Sequence, residues 1–134
     1  MRASAHSTIT LTLPGADSAD SQVAAIRKRG NLPLIVGEHV LAEIDRTDLK
    51  EGWDAAKKLS AEDMSAMCRV AGARLTKIFE DNIASEDLTD IVTDAAALFL
   101  LALRRYGVKT TKDIKPCTLV WDDKAGQEHL LMRA

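Results

Sequence analysis

The stretch AAALFLLAL, residues 95–103, places nine consecutive side chains without a polar group in the middle of a longer run, residues 85–106. Both ends of that run carry helix signals. Ser85 is placed to cap the start, and Glu86, Asp87 and Asp90 fall in the first turns, where the helix dipole favours negative charge. Arg104 and Arg105 fall in the last turn, and Gly107 follows as a stop. A helix that is apolar all round has to be surrounded, so this segment predicts the central element of the core. Nine apolar residues fall well short of the roughly 20 needed to span a bilayer.

The segment before it reads as a second long helix. Ser60 with Asp63 three residues on forms a weak capping box. Met64, Cys68, Ala71, Leu75 and Ile78 then recur at steps of three and four, widened by Met67 and Phe79, to about Asn82. Asp48 with Glu51 marks a third helix start, followed by Leu49, Trp53, Ala56 and Leu59 on one face. Val40, Leu41 and Ile44 have helical spacing within residues 38–45, and residues 18–29 read as a short helix burying Val23 and Ile26. Residues 31–37, NLPLIVG, fit either a short strand or an extended link.

The two ends of the chain alternate instead. From Ser7, residues Ile9, Leu11 and Leu13 share one face and Thr8, Thr10 and Thr12 the other, until Pro14-Gly15. Cys117, Leu119 and Trp121 alternate with Thr118, Val120 and Asp122. After a turn within residues 123–127, His129, Leu131 and Arg133 alternate with Leu130 and Met132, which reads as a hairpin. The expected fold is therefore α+β: three to five helices in the middle of the chain, packed on a small antiparallel sheet made by strand 7–13 and the hairpin 117–133. At 134 residues the chain fits a single domain, 1–134, able to bury a core without disulfides or metal. The expected core comprises Ile9, Leu11, Leu13, Met64, Ala71, Leu75, Ile78, Leu88, Val92, Leu98, Phe99, Ala102, Leu119 and Trp121.

Charge is low overall, −2, but uneven. Residues 51–100 hold ten acids and five bases, whereas residues 101–134 hold seven bases and four acids. The whole chain lacks the basic footprint of a protein that lives on nucleic acid. The main basic cluster is Arg104, Arg105, Lys109, Lys112 and Lys115 with Tyr106 among them. It reads as dipole compensation plus a solvated loop, or as a surface docking a partner's anions. Arg27-Lys28-Arg29 also ends a helix. Glu80, Asp81, Glu86, Asp87, Asp90 and Asp94 read as a solvated face with dipole pairing rather than a metal site.

Motifs of catalysis are missing. There is no GxSxG, P-loop, Gly-x-Gly-x-x-Gly or HExxH. His39 and Glu43 are four apart without a zinc signature, and His6 and His129 have no nucleophile beside them. Cys68 and Cys117 read as free thiols, Cys68 on an apolar helix face. Ala71-Gly72-Ala73 predicts a close helix crossing, against Ala95-Ala96-Ala97. The competing reading is a helix-turn-helix over residues 64–82, whose recognition helix would carry Glu80 and Asp81 toward phosphate. A C-terminal strand edge offers unpaired backbone groups, and Trp121 or Leu131 on an uncovered face would imply a protein interface.

The expectation is a non-enzymatic, cytoplasmic interaction module that acts as a homo-oligomer or docks as a subunit, adaptor or inhibitor on a larger protein assembly. It carries no expected cofactor, metal or membrane contact. The alternatives are a nucleic-acid-binding regulator using the basic region 104–115, and a small enzyme or ligand-binding domain whose site is assembled from distant residues. If the chain leaves one side of the central helix open, Leu101 would mark an interface.

Overall fold

A computed structural model describes residues 8–15, 17–38, 40–81 and 83–132. Ser7, His6, His39, Asn82 and Arg133, named above, lie outside the described residues. Four α-helices and five strands follow in the order β1 (Thr8–Leu13), α1 (Ser21–Lys28), β2 (Leu32–Val36), β3 (Val40–Ile44), α2 (Arg46–Ala56), α3 (Ala61–Glu80), α4 (Leu88–Arg105), β4 (Cys117–Asp122) and β5 (Gln127–Met132). The strands form one antiparallel sheet in the order β3-β2-β1-β4-β5, with helices packed on it, so the fold is α+β.

The pattern of β1 sets the sheet. Ile9, Leu11 and Leu13 are buried, and they stand opposite Trp121, Leu119 and Cys117 of β4, which are buried too. Leu34 and Val36 of β2 and Ala42 and Ile44 of β3 continue the same apolar face. Residues 38–45 thus correct the expectation of a helix. Gly37 turns the chain at φ +64°, a conformation that suits glycine, and β3 then folds back on β2 with Leu34 opposite Ala42. Pairing two strands satisfies more backbone groups than one helical turn squeezed between Gly37 and the cap at Asp45.

α4 is the central helix. From Leu98 to Leu103 every residue is buried. α2 covers part of it at close range: a Cβ on Gly52 would lie 2.9 Å from Leu100 Cδ1. Leu101 is 4% exposed, so its own chain covers it and it marks core. Its start differs from expectation. Residues Ser85–Asp87 form a single 3-10 turn in which Asp87 accepts from the Ala84 amide at 2.9 Å, and Ser85 makes no side-chain cap. α4 begins at Leu88, and Leu88, expected in the core, is 45% exposed on that first turn. Met64, Ile78 and Val92 are only partly buried.

α3 is one unbroken 20-residue helix capped by Ser60, whose hydroxyl accepts from the Asp63 amide. With no turn between two helices, the helix-turn-helix reading is excluded. The glycine of the small patch on α3 meets the sheet. A Cβ on Gly72 would lie 2.0 Å from the indole of Trp121, so at Gly72 the close approach is to the sheet. α2 also starts earlier than expected: Asp45 caps it by accepting from the Thr47 amide at 2.7 Å, so Asp48 lies inside the first turn.

α1 lies apart from these three helices. It contacts β2, and its buried residues Val23 and Ile26 are not part of the core cluster. Just past it, Arg29 and Asn31 bond the carboxylate of Glu43, whose strand neighbours Ala42 and Ile44 face the core. Because strand side chains alternate, Glu43 and α1 occupy the second face of the sheet, at its β2–β3 half.

Candidate functional site

Beyond α1, no helix among the described residues packs on the second face of the sheet. It presents Thr8, Thr10 and Thr12 from β1, Thr118, Val120 and Asp122 from β4, and Gln127, His129 and Leu131 from β5. Leu131 is 68% exposed, the most exposed large apolar residue among those described. β5 pairs with β4 only, so its far side has no partner strand among the described residues. Trp121, the other interface candidate, is 1% exposed and belongs to the core, with its indole nitrogen donating to Asp123 at 3.2 Å.

The helix-facing side of the same strand holds a charge. Glu128 stands opposite Trp121, is 3% exposed, and is met by Arg105 from the end of α4 in a salt bridge. Tyr106 donates its hydroxyl hydrogen bond to the Glu128 carbonyl at 3.2 Å. Next to the pair opens a cavity of about 380 Å³ lined by Ser65, Arg105, Tyr106, Gly126, Gln127 and Glu128. Cys68 lies close to this pair. Burial, reinforced by the Glu128 charge and opposed by Arg105, pushes its thiol up to about 11, and burial alone raises Cys117 to about 11. Both thiols are protonated near neutral pH and poorly nucleophilic.

The sequence-level basic cluster is divided between two places. Arg105 turns to Glu128, whereas Arg104 lies over the ring of Trp53, 5.5 Å from its centroid. Trp53 in turn donates from Nε1 to the Lys109 carbonyl at 3.4 Å. Lys109, Lys112 and Lys115 are exposed on the loop before β4. Beside that loop a cavity of about 370 Å³ joins Thr110 and Thr111 to Arg46, Lys50, Trp53, Asp54 and Lys57 of α2. Asp54 sits among these cations and pairs with Lys50 and Lys57.

The acidic region gathers at the α3–α4 end. Arg74 pairs with Asp94 at 2.8 Å, and a cavity of about 420 Å³ there is lined by Asp81, Asp87, Asp90 and Asp94 as well as Arg74 and Lys77. Desolvation raises Asp94 above the ordinary carboxylate value although Arg74 pulls it down. Among the described residues no three His, Cys, Asp or Glu converge to hold a metal, and no helix is long and apolar enough to cross a membrane.

Sequence reasoning missed Glu128, Ser65 and Arg69. A signal for Glu128 was present: it shares strand phase with Leu130 and Met132, so a carboxylate on that face needs a cation. Comparison with protein-family models, with characterised proteins and with solved structures finds no match for this chain.

Proposed function

We propose that this protein is a non-enzymatic interaction module that takes up an additional strand along β5, supplied by a second copy or by a component of a larger assembly. The observation that supports this most is the outer edge of β5, which pairs with no other strand among the described residues, with Leu131 exposed beside it. An edge strand of six residues with no proline or lysine offers backbone donors and acceptors to an extended chain, apart from the Glu128 carbonyl, which already accepts from Tyr106. Inward charges often guard such edges because covering them strands the charge. Glu128 is already buried and neutralised by Arg105, so an added strand would strand nothing. No helix among the described residues lies on the threonine-rich half of the second face, so an incoming strand would settle there without meeting one.

Light scattering across a concentration series, together with selection of binders from a randomised decapeptide library, tests the proposal. Self-association or selected extended peptides, accompanied by slowed amide exchange along β5 and lost on Leu131→Asp, is the expected result. A strict monomer at high concentration that selects no peptide overturns it.

A second reading, a nucleic-acid-binding regulator, draws on the cavity that brings α2 cations to the loop carrying Lys109 and Lys112. It requires salt-sensitive retardation of nucleic acid in a gel, and no retardation at low salt removes it.

A further inference from the structure

The cavity beside β5 bears on what the added strand carries, an inference that rests on strand addition at that edge. Glu128 and Arg105 cancel one another. Arg69 of α3 flanks the same space: its Nη1 donates to Ser65 Oγ at 3.2 Å, and its stem lies 3.6 Å from where a Cβ on Gly126 would be. Both Ser65 and Gly126 line the cavity. Arg69 has no carboxylate within salt-bridge distance among the described residues. The Ser65 oxygen accepts from Arg69, which leaves its hydroxyl hydrogen free to donate. Tyr106 is occupied by the Glu128 carbonyl and forms a fixed wall. The charges that line the cavity cancel, and Arg69, which adjoins its wall at Ser65 and Gly126, adds one unpaired positive charge at its margin beside the Ser65 hydroxyl.

A strand added to β5 would run about 4.8 Å beyond it, with alternate side chains on the helix-facing side. Those side chains point toward the N-terminal half of α3 and the end of α4, where Ser65, Arg69 and Arg105 stand. We infer that the cavity receives the carboxylate of an Asp or Glu on an extended segment of a different protein, bound by Arg69 and Ser65 with Arg105 behind them. A second copy is a poorer occupant. Among the described side chains, the helix-facing residues of its β5 are Glu128 and Leu130, and its Glu128 is already buried against Arg105.

The test is to pan a randomised decapeptide library on the full chain and measure the selected peptides by fluorescence polarisation. Selected peptides should fix Asp or Glu at one position in an alternating pattern. Replacing that acid by its amide should weaken binding about tenfold or more, the scale of a charge-assisted hydrogen bond. Arg69→Ala should weaken the acidic peptide to the same degree and leave the amide peptide unchanged; Arg69 is exposed, so this variant keeps the fold. Peptides that bind along β5 without a fixed acid, or an Arg69→Ala variant with unchanged affinity, overturn the acid pocket and leave strand addition standing. Failure to select any peptide removes the heterologous strand on which the pocket depends.

Discussion

Gly72 of α3 lies directly against the indole of Trp121 of β4, so close that no side chain fits between the helix and the sheet. This approach lets a 20-residue helix lie on the sheet above its second-to-last strand. It also explains why a helix-weakening residue sits in a helix interior.

Gly72→Ala should therefore destabilise the protein although alanine is the better helix former. The propensity gain is about 1 kcal/mol, but a Cβ 2.0 Å from a rigid ring forces α3 or Trp121 to move. Overpacking of this kind costs about 1–3 kcal/mol and at times more. With the ring unable to yield, the cost falls at the upper end, and we expect a net loss of up to about 2 kcal/mol, seen as a drop of up to about 6–10 °C in the thermal midpoint. An unchanged or raised midpoint would show that the crossing is looser than described.

Leu101 and Leu131 should respond in opposite ways to the same change. Leu101→Asp places an unpaired charge in the core and should cost more than about 4 kcal/mol, a large part of a typical stability, giving global unfolding by circular dichroism. Leu131→Asp alters a side chain that is 68% exposed and should leave the fold and thermal midpoint nearly unchanged. A folded Leu101→Asp variant that loses only assembly would reinstate that helix as an interface.

Asp94 should make stability depend on pH in a direction opposite to most salt-bridged carboxylates. Burial raises its folded value above the ordinary 3.8 despite Arg74. The folded state then holds the proton more tightly than the unfolded state. Its contribution is present below the unfolded value and is lost as pH rises through the folded one. Asp94→Asn stays neutral throughout. Its stability relative to wild type, measured by urea unfolding, should improve as pH climbs from about 4 and then level off. A difference that shrinks with rising pH would mean the Arg74 pair outweighs burial.

Cys68 and Cys117 should resist alkylation in the native state. With both thiols pushed to about 11, the thiolate fraction at pH 8 is about a thousandth, against roughly a quarter for an ordinary thiol. Iodoacetamide at pH 8 should modify the native protein more than about a hundredfold more slowly than the urea-unfolded chain. Fast labelling of either residue without denaturant would contradict its burial.

The long helices were legible because several local signals agreed. Ser60 capped, apolar residues followed at steps of three and four, and Arg104 and Arg105 ended the run. Residues 38–45 misled because Val40, Leu41 and Ile44 satisfy helical spacing as well as strand burial. Only the turn at Gly37 and the pairing with β2, a tertiary event, decide between them. Trp121 matched its core assignment, but its partner did not follow from sequence, since Gly72 could have met any close neighbour. At the candidate site, alternation separated the two faces of β5 but could not say which was covered, so Trp121 and Leu131 stood as equal candidates until the helices were placed. Arg105 and Glu128 were not joined, because residues 23 apart meet only once α4 has been laid beneath β5.

The position of β1 has a consequence for how the chain is made. β1, near the start of the sequence, is the middle strand of the sheet, and one of its two neighbours is β4. A nascent chain can form the β2–β3 hairpin early, but all four helices must be made before Cys117–Asp122 emerges to close the other side of β1. Until then Ile9, Leu11 and Leu13 lack the strand beside them, and α3 lacks the indole on which Gly72 rests. Such late, long-range pairing is slow and leaves apolar surface open meanwhile. The emergence of β4 is thus the step that seals the sheet around β1, and truncation before residue 117 should yield aggregation-prone chains instead of a smaller stable fold.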